Sequence, residues 1–196
     1  MGRPVLHDPA TIVDCAIKLA AGGVDAITIG GIGRAVGVPS GSIYHRFGSR
    51  DGVLAATWLE ATRGFQVGFL AGLGAAAPVP GLAAALHVTD WARTEPARAR
   101  LLALYRVQDF GAARWPDPAR AEARVLAAEL ESGLGHFSTV TFGDSGGEWR
   151  RRVTFALLDV PVAAVRRYLS AGVPPPPEVD DYVAAAVAAV LAPGRN

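Results

Sequence analysis

Between Thr28 and Arg50 the chain gathers side chains suited to hydrogen bonding along a nucleic acid: Thr28, Ser40, Ser42, Tyr44, His45, Arg46 and Arg50. Ser42 and His45 can each donate or accept, as a reader of base edges must. Tyr44 and Arg46 suit phosphate oxygens, which position a protein without reading sequence. Thr28 stands where it would cap a helix, so that its hydroxyl and the nearby amides can hold a phosphate. Arg50 offers a second phosphate clamp. The stretch contains Arg34, Arg46 and Arg50 and no acidic residue, whereas the whole chain has a net charge of only +1. The basic bias is therefore local.

These side chains need two short helices and a tight turn. Ile29, Ile32, Ala35 and Val36 give the first helix an apolar face. Gly37 follows where a left-handed residue ends a helix. Val38 plugs the corner, and Ser40 is placed to cap the second helix. In Ser40–Phe47 the large apolar residues are Ile43 and Phe47, at i and i+4. At about 100° per residue, Gly41, Ser42 and His45 face away from that pair, with Tyr44 and Arg46 on the flanks. Small residues at Gly41 and Ser42 let the backbone approach base edges. The pattern is a helix-turn-helix with its second helix free to enter a groove. Taken singly the parts have plainer readings: a helix corner, a surface histidine, a half-buried tyrosine.

The stretch resembles the N-terminal domain of TetR-family transcriptional repressors through Thr28, Ile32, Ala35, Gly37-Val38, Ser42-Ile43-Tyr44, Phe47, Ser49-Arg50 and Leu54. Ile12-Val13, Ala16, Leu19-Ala20, Gly23 and Ala26 resemble the family's first helix. The resemblance implies an all-α homodimer with an N-terminal helix-turn-helix DNA-binding domain, residues 1–50, and a larger helical ligand-binding and dimerisation domain, residues 51–196. It implies as partners double-stranded DNA with a pseudo-palindromic operator, an unknown small-molecule effector and a second copy. The function implied is a repressor released from its operator by a ligand. Gly33 departs from the family's usual alanine and Arg50 from its usual lysine. Gly30, Gly31 and Gly33 weaken the first helix, each by about 1 kcal/mol relative to alanine. Pro39 and Gly41 give the recognition helix its own base-reading surface.

Elsewhere the apolar spacing predicts helices throughout. Asp8 caps and Pro9 opens the first, which runs to about Ala21. A connecting helix runs from Ser49 to Leu73, then Leu82–Thr94, Ala97–Phe110, Pro118 to Thr141, Glu148–Ala171 with a kink at Pro161, and Val179–Leu191. Gly143–Gly147 reads as a turn and the four prolines at 174–177 as a rigid linker. The last two helices are expected to pair with their copies through Phe155, Leu157, Leu158, Val162, Val183, Val187 and Val190. A mostly apolar pocket is expected among the middle helices, with Trp91, Tyr105, Phe110 and Trp115 as walls and His87, Gln108, Asp109 and His136 as polar contacts. Each aromatic has core packing as its rival role, and Asp109 could simply pair with Arg106 along a helix.

Composition bounds the rest. No apolar run approaches the about 18 residues of a membrane span, and the N-terminus lacks the apolar core of a signal peptide. Cys15 is the only cysteine, which excludes a disulfide framework and points to a cytoplasmic setting, to which the resemblance adds a bacterial one. His7, His45, His87 and His136 are scattered, so neither a metal nor another cofactor is expected. No HExxH, GxSxG, phosphate-binding loop or GxGxxG appears, and no catalytic residue is assigned. Two alternatives stay open: a helical small-molecule-binding dimer, and a helical enzyme, with DNA binding weakened or lost.

Overall fold

The computed structural model describes residues 8–143 and 147–192. Among these there are α-helices, short 3-10 turns and one π turn, and no strand. The turn expected at Gly143–Gly147 falls mostly on residues 144–146, outside the described residues, as do residues 1–7.

Helix α1, Pro9–Leu19, starts at Asp8, whose carboxylate accepts from the Ala10 N–H at 3.2 Å. Two 3-10 turns, Ala20–Gly22 and Val24–Ala26, lead to α2, Ile29–Val36. Thr28 caps α2 by accepting from Gly31 N at 3.0 Å, and Gly37 ends it in the left-handed region at φ 74°. Then come α3, Ser40–Phe47, and the long α4, Arg50–Leu73, with Ser49 Oγ accepting from Gly52 N at 3.0 Å. The body adds α5, Leu82–Thr94, α6, Pro96–Leu104, α7, Asp117–Phe142, α8, Glu148–Thr154, α9, Val160–Ala171, and α10, Glu178–Leu191.

Two apolar clusters organise the chain. The first joins Ile12, Ile17, Ile32 and Ile43 of α1–α3 to Val53, Leu54 and Leu59 of α4. It also takes in Leu101, Phe110, Trp115 and Leu126 from the body. A division at residues 50/51 thus passes through packed side chains. The second cluster lies between α4, α5, α7 and the C-terminal helices.

Three expectations need correction. The helix expected over Ala97–Phe110 ends at Leu104, because Tyr105 is extended (φ −118°, ψ 162°). Its hydroxyl reaches back to donate to Ala20 O at 3.2 Å. Asp109 forms no helix-surface pair with Arg106; its carboxylate accepts the Arg106 backbone N–H at 2.7 Å and shapes the turn. At Pro161 the chain widens into a π turn, Phe155–Asp159, between α8 and α9. Proline lacks an N–H and crowds the carbonyl four residues back, and the wider turn accommodates both.

The expected dimer face also needs correction. Leu157, Val183 and Val187 are 0–1 % exposed inside their own chain and belong to the second cluster, so they cannot meet a partner. Leu158, Val162 and Val190 are half-buried, and Phe155 is 51 % exposed. Tyr182 is also exposed, with Ala185 and Ala189 along the same side of α10.

Candidate nucleic-acid interface and ligand cavity

The helix-turn-helix is set by close backbone approach. Val38 N donates to Gly33 O at 3.0 Å, closing the corner. A Cβ at Gly33 would meet the Val38 carbonyl at 2.8 Å, which explains a glycine where alanine is usual. Ile32 and Ile43 are fully buried and Val38 nearly so, which fixes α3 against α2. That leaves Gly41, Tyr44 and His45 exposed and Ser42 and Arg46 half-exposed, so Tyr44 lies more open and Ser42 less open than the helical wheel gives. Arg46 Nη1 makes a long 3.4 Å contact with Ser42 O. Ser40 is exposed but does not cap α3; the cap position is Pro39, with no side-chain hydrogen bond.

Arg50 has a different place from the one expected. Its Nε donates to Ile27 O at 2.8 Å and its Nη2 to Val24 O at 3.0 Å, with the Asp25 carboxylate 3.8 Å away. The guanidinium ties the loop before α2 to the start of α4. Phosphate would have to compete with these bonds. Arg34, not singled out from the sequence, lies exposed on α2 with no ion pair among the described residues. Its membership of the same acid-free stretch was the available signal.

In the body, a cavity of about 570 Å³ opens between α4, α5, α6, α7 and α9. Trp58, Thr62, Phe65 and Gln66 of α4 and Trp91 of α5 line it. Phe65 and Trp91 pack with ring centroids 5.2 Å apart. Gln66 is 5 % exposed, and its Oε1 is buried without a hydrogen-bond partner. The charged lining residues, Asp159 and Arg166, are exposed.

Of the residues expected in the pocket, only Trp91 lines this cavity. Phe110 and Trp115 are buried in the first cluster, where Trp115 Nε1 donates to Phe110 O at 2.8 Å. With Tyr105 they join the body to α1 and α4. Gln108 and Asp109 are exposed on the intervening turn. His87 sits behind the cavity wall, Nε2 3.1 Å from Phe65 O. Burial lowers its pKa, against the opposing pull of the Phe65 carbonyl and Asp90. His136 is exposed on a wider open groove between α4 and α7. That groove has only two helical walls and faces solvent. Trp58 links the two clusters: it lines the cavity, and its ring centroid lies 5.2 Å from that of Phe110.

An all-helical chain with an N-terminal helix-turn-helix on a larger helical body has the architecture of a DNA-binding regulator. Residues 12–57 match the family model described as bacterial regulatory proteins, tetR family. That match identifies residues 12–57 as a DNA-binding domain of the tetR type. No curated protein sequence matches it. Among solved structures it is similar to a transcriptional regulator from Rhodococcus sp. Rha1, with TM-score 0.69 and 17 % identity, covering 94 % of this chain and 96 % of that one. It is also similar to the TetR family regulator PfmR from Thermus thermophilus, with TM-score 0.67 and 17 % identity over 94 % and 99 % of the two chains. A third is the regulator FadR from Bacillus subtilis in complex with stearoyl-CoA, with TM-score 0.68 and 13 % identity over 96 % and 100 %. These identities establish a shared fold. No helix among the described residues is long and apolar enough to cross a membrane.

Proposed function

We propose that the protein is a homodimeric repressor that leaves its operator when a small molecule enters the α4–α9 cavity. One observation carries the reading: α4 is a single helix from Arg50, next to α3, to the cavity wall at Trp58, Thr62, Phe65 and Gln66. A ligand that moves this wall moves the recognition helix. Trp58 against Phe110 supports the same route through the joint. The neighbour crystallised with stearoyl-CoA supports ligand control in this fold.

In this reading Gly41, Ser42 and His45 face base edges, and Tyr44, Arg46 and Arg34 face phosphates. Thr28 presents the N-terminus of α2 to phosphate, with Ser40 at the rim. Residues 1–50 supply the reading function and residues 51–196 the sensing and dimerising one, although their packing is shared. Two copies meet through the outward residues Phe155, Tyr182, Ala185 and Ala189. The dimer reads a pseudo-palindrome with half-sites about 34–36 Å apart or a multiple of that. The ligand must bind the released spacing more tightly than the operator-bound one, since equal affinity shifts nothing.

Selection of bound sites from random DNA tests this. The expected product is a two-fold symmetric site. Recovery of asymmetric single sites, or of no enriched sequence, would remove the dimeric-reader model.

A further inference from the structure

We propose that the cavity takes a neutral, flat, mostly hydrocarbon compound with one hydroxyl or N–H group, held by donation to Gln66 Oε1. The inference rests on the cavity being the effector site.

Gln66 lines the cavity and is 5 % exposed, and its Oε1 is shut off from water with no hydrogen-bond partner, so the amide turns toward the cavity to accept from a ligand. A buried acceptor left unpaired is costly, and a donor arriving with the ligand relieves that cost. The nearby Thr62 hydroxyl has already given its proton to Trp58 O at 2.9 Å. Around Gln66 the wall is aromatic: Trp58, Phe65 and Trp91. Flat apolar rings match such a wall.

Charge decides against ionic ligands. Asp159 and Arg166, the charged lining residues, are exposed on the α9 side. An ion at the Gln66 end would lose its water without gaining a counter-ion. A ligand with no donor would enter but leave Oε1 unpaired. A cavity of about 570 Å³ has room for a small polycyclic compound.

The test uses the full-length protein and two probes of nearly the same shape, 1-naphthol and naphthalene, followed by quenching of tryptophan fluorescence. Naphthol should bind about fivefold more tightly, the worth of one neutral hydrogen bond. Gln66→Met keeps the volume and removes the acceptor, so it should erase the preference without weakening naphthalene. Ala163→Trp, at an exposed lining position, should block both probes without touching the core. Equal affinities in the unmodified protein, or a preference that survives Gln66→Met, would overturn the proposal. So would an acyl-CoA or organic cation that binds where the naphthyl probes do not; if Ala163→Trp blocks it, the effector site stands and only the ligand class falls. Should no probe of any class bind in a way that Ala163→Trp blocks, the effector-site reading fails together with the proposal.

Discussion

Gly52 in the first turns of α4 lies directly against the carbonyl of Phe47, the last residue of α3, so closely that a Cβ on Gly52 would overlap the carbonyl oxygen. The contact fixes the angle at which the recognition helix leaves the helix that reaches the cavity. A glycine in a helix ordinarily costs about 0.5–1 kcal/mol relative to alanine. Here the sign reverses: Gly52→Ala should destabilise by about 1–3 kcal/mol, as overpacking does. Operator affinity should fall with it. Thermal unfolding and DNA titration of the variant check this, and a more stable variant with unchanged DNA binding would show that the junction is loose.

Arg50 and Arg46 should separate in their salt dependence. Arg50 spends its guanidinium on the Ile27 and Val24 carbonyls. Arg50→Ala should lower thermal stability by about 1–2 kcal/mol, allowing for its partial exposure, and weaken DNA binding with little change in salt slope. Arg46→Ala should flatten the slope by about one unit with little loss of stability. The reverse pattern would restore Arg50 as the phosphate clamp.

Ser42 and His45 face away from the Ile43–Phe47 side of α3. Replacing either with alanine should relax specificity at particular base pairs, by about 1–3 kcal/mol per lost contact. Site selection with His45→Ala reads this directly. An unchanged preferred site would take His45 out of the readers.

Much of the helical layout could be read in the sequence because apolar spacing and caps are local signals. Asp8 and Thr28 each cap the helix that follows, whereas Ser40 does not. What stayed hidden depends on distant partners. Arg50 bonds to carbonyls 23 and 26 residues earlier in the chain, so only its charge was visible. Gly33 read as a weak helix residue because the Val38 carbonyl above it has no sequence signature. Tyr105, Phe110 and Trp115 have the composition of a pocket wall, yet the chain leaves the helix at Tyr105 and folds them into the joint with the head. Apolarity alone could not separate Leu157, Val183 and Val187, which fill their own core, from Phe155, which does not. Gln66 became informative only once its burial and unpaired oxygen were known.

That distinction gives a dimer test. Phe155→Glu, at an exposed position, should give folded monomers with weakened operator binding. Leu157→Asp and Val187→Asp place an unpaired charge in the core and should unfold the chain. Light scattering with circular dichroism distinguishes the outcomes. A folded, fully dimeric Phe155→Glu protein would move the interface elsewhere.

His87 predicts a pH effect of definite sign. Burial lowers its pKa in the folded chain below the ordinary value of about 6.5. The unfolded chain therefore binds the proton more readily, and stability falls as pH drops below about 6.5 toward the folded value. Thermal unfolding between pH 7.5 and 5.5 should show the loss, and His87→Gln should reduce it. An identical pH profile in the variant would assign the effect to other groups.

The central claim is that α3 reads a specific DNA sequence from an interface carrying a local basic bias on a nearly neutral chain. Titration of the purified protein against the DNA upstream of its own gene, beside a scrambled duplex and across a range of salt concentrations, tests it most directly. The expected result is a clear preference for one duplex, with log affinity falling linearly as log salt rises. Equal binding to both duplexes, or no binding even at low salt, would contradict it.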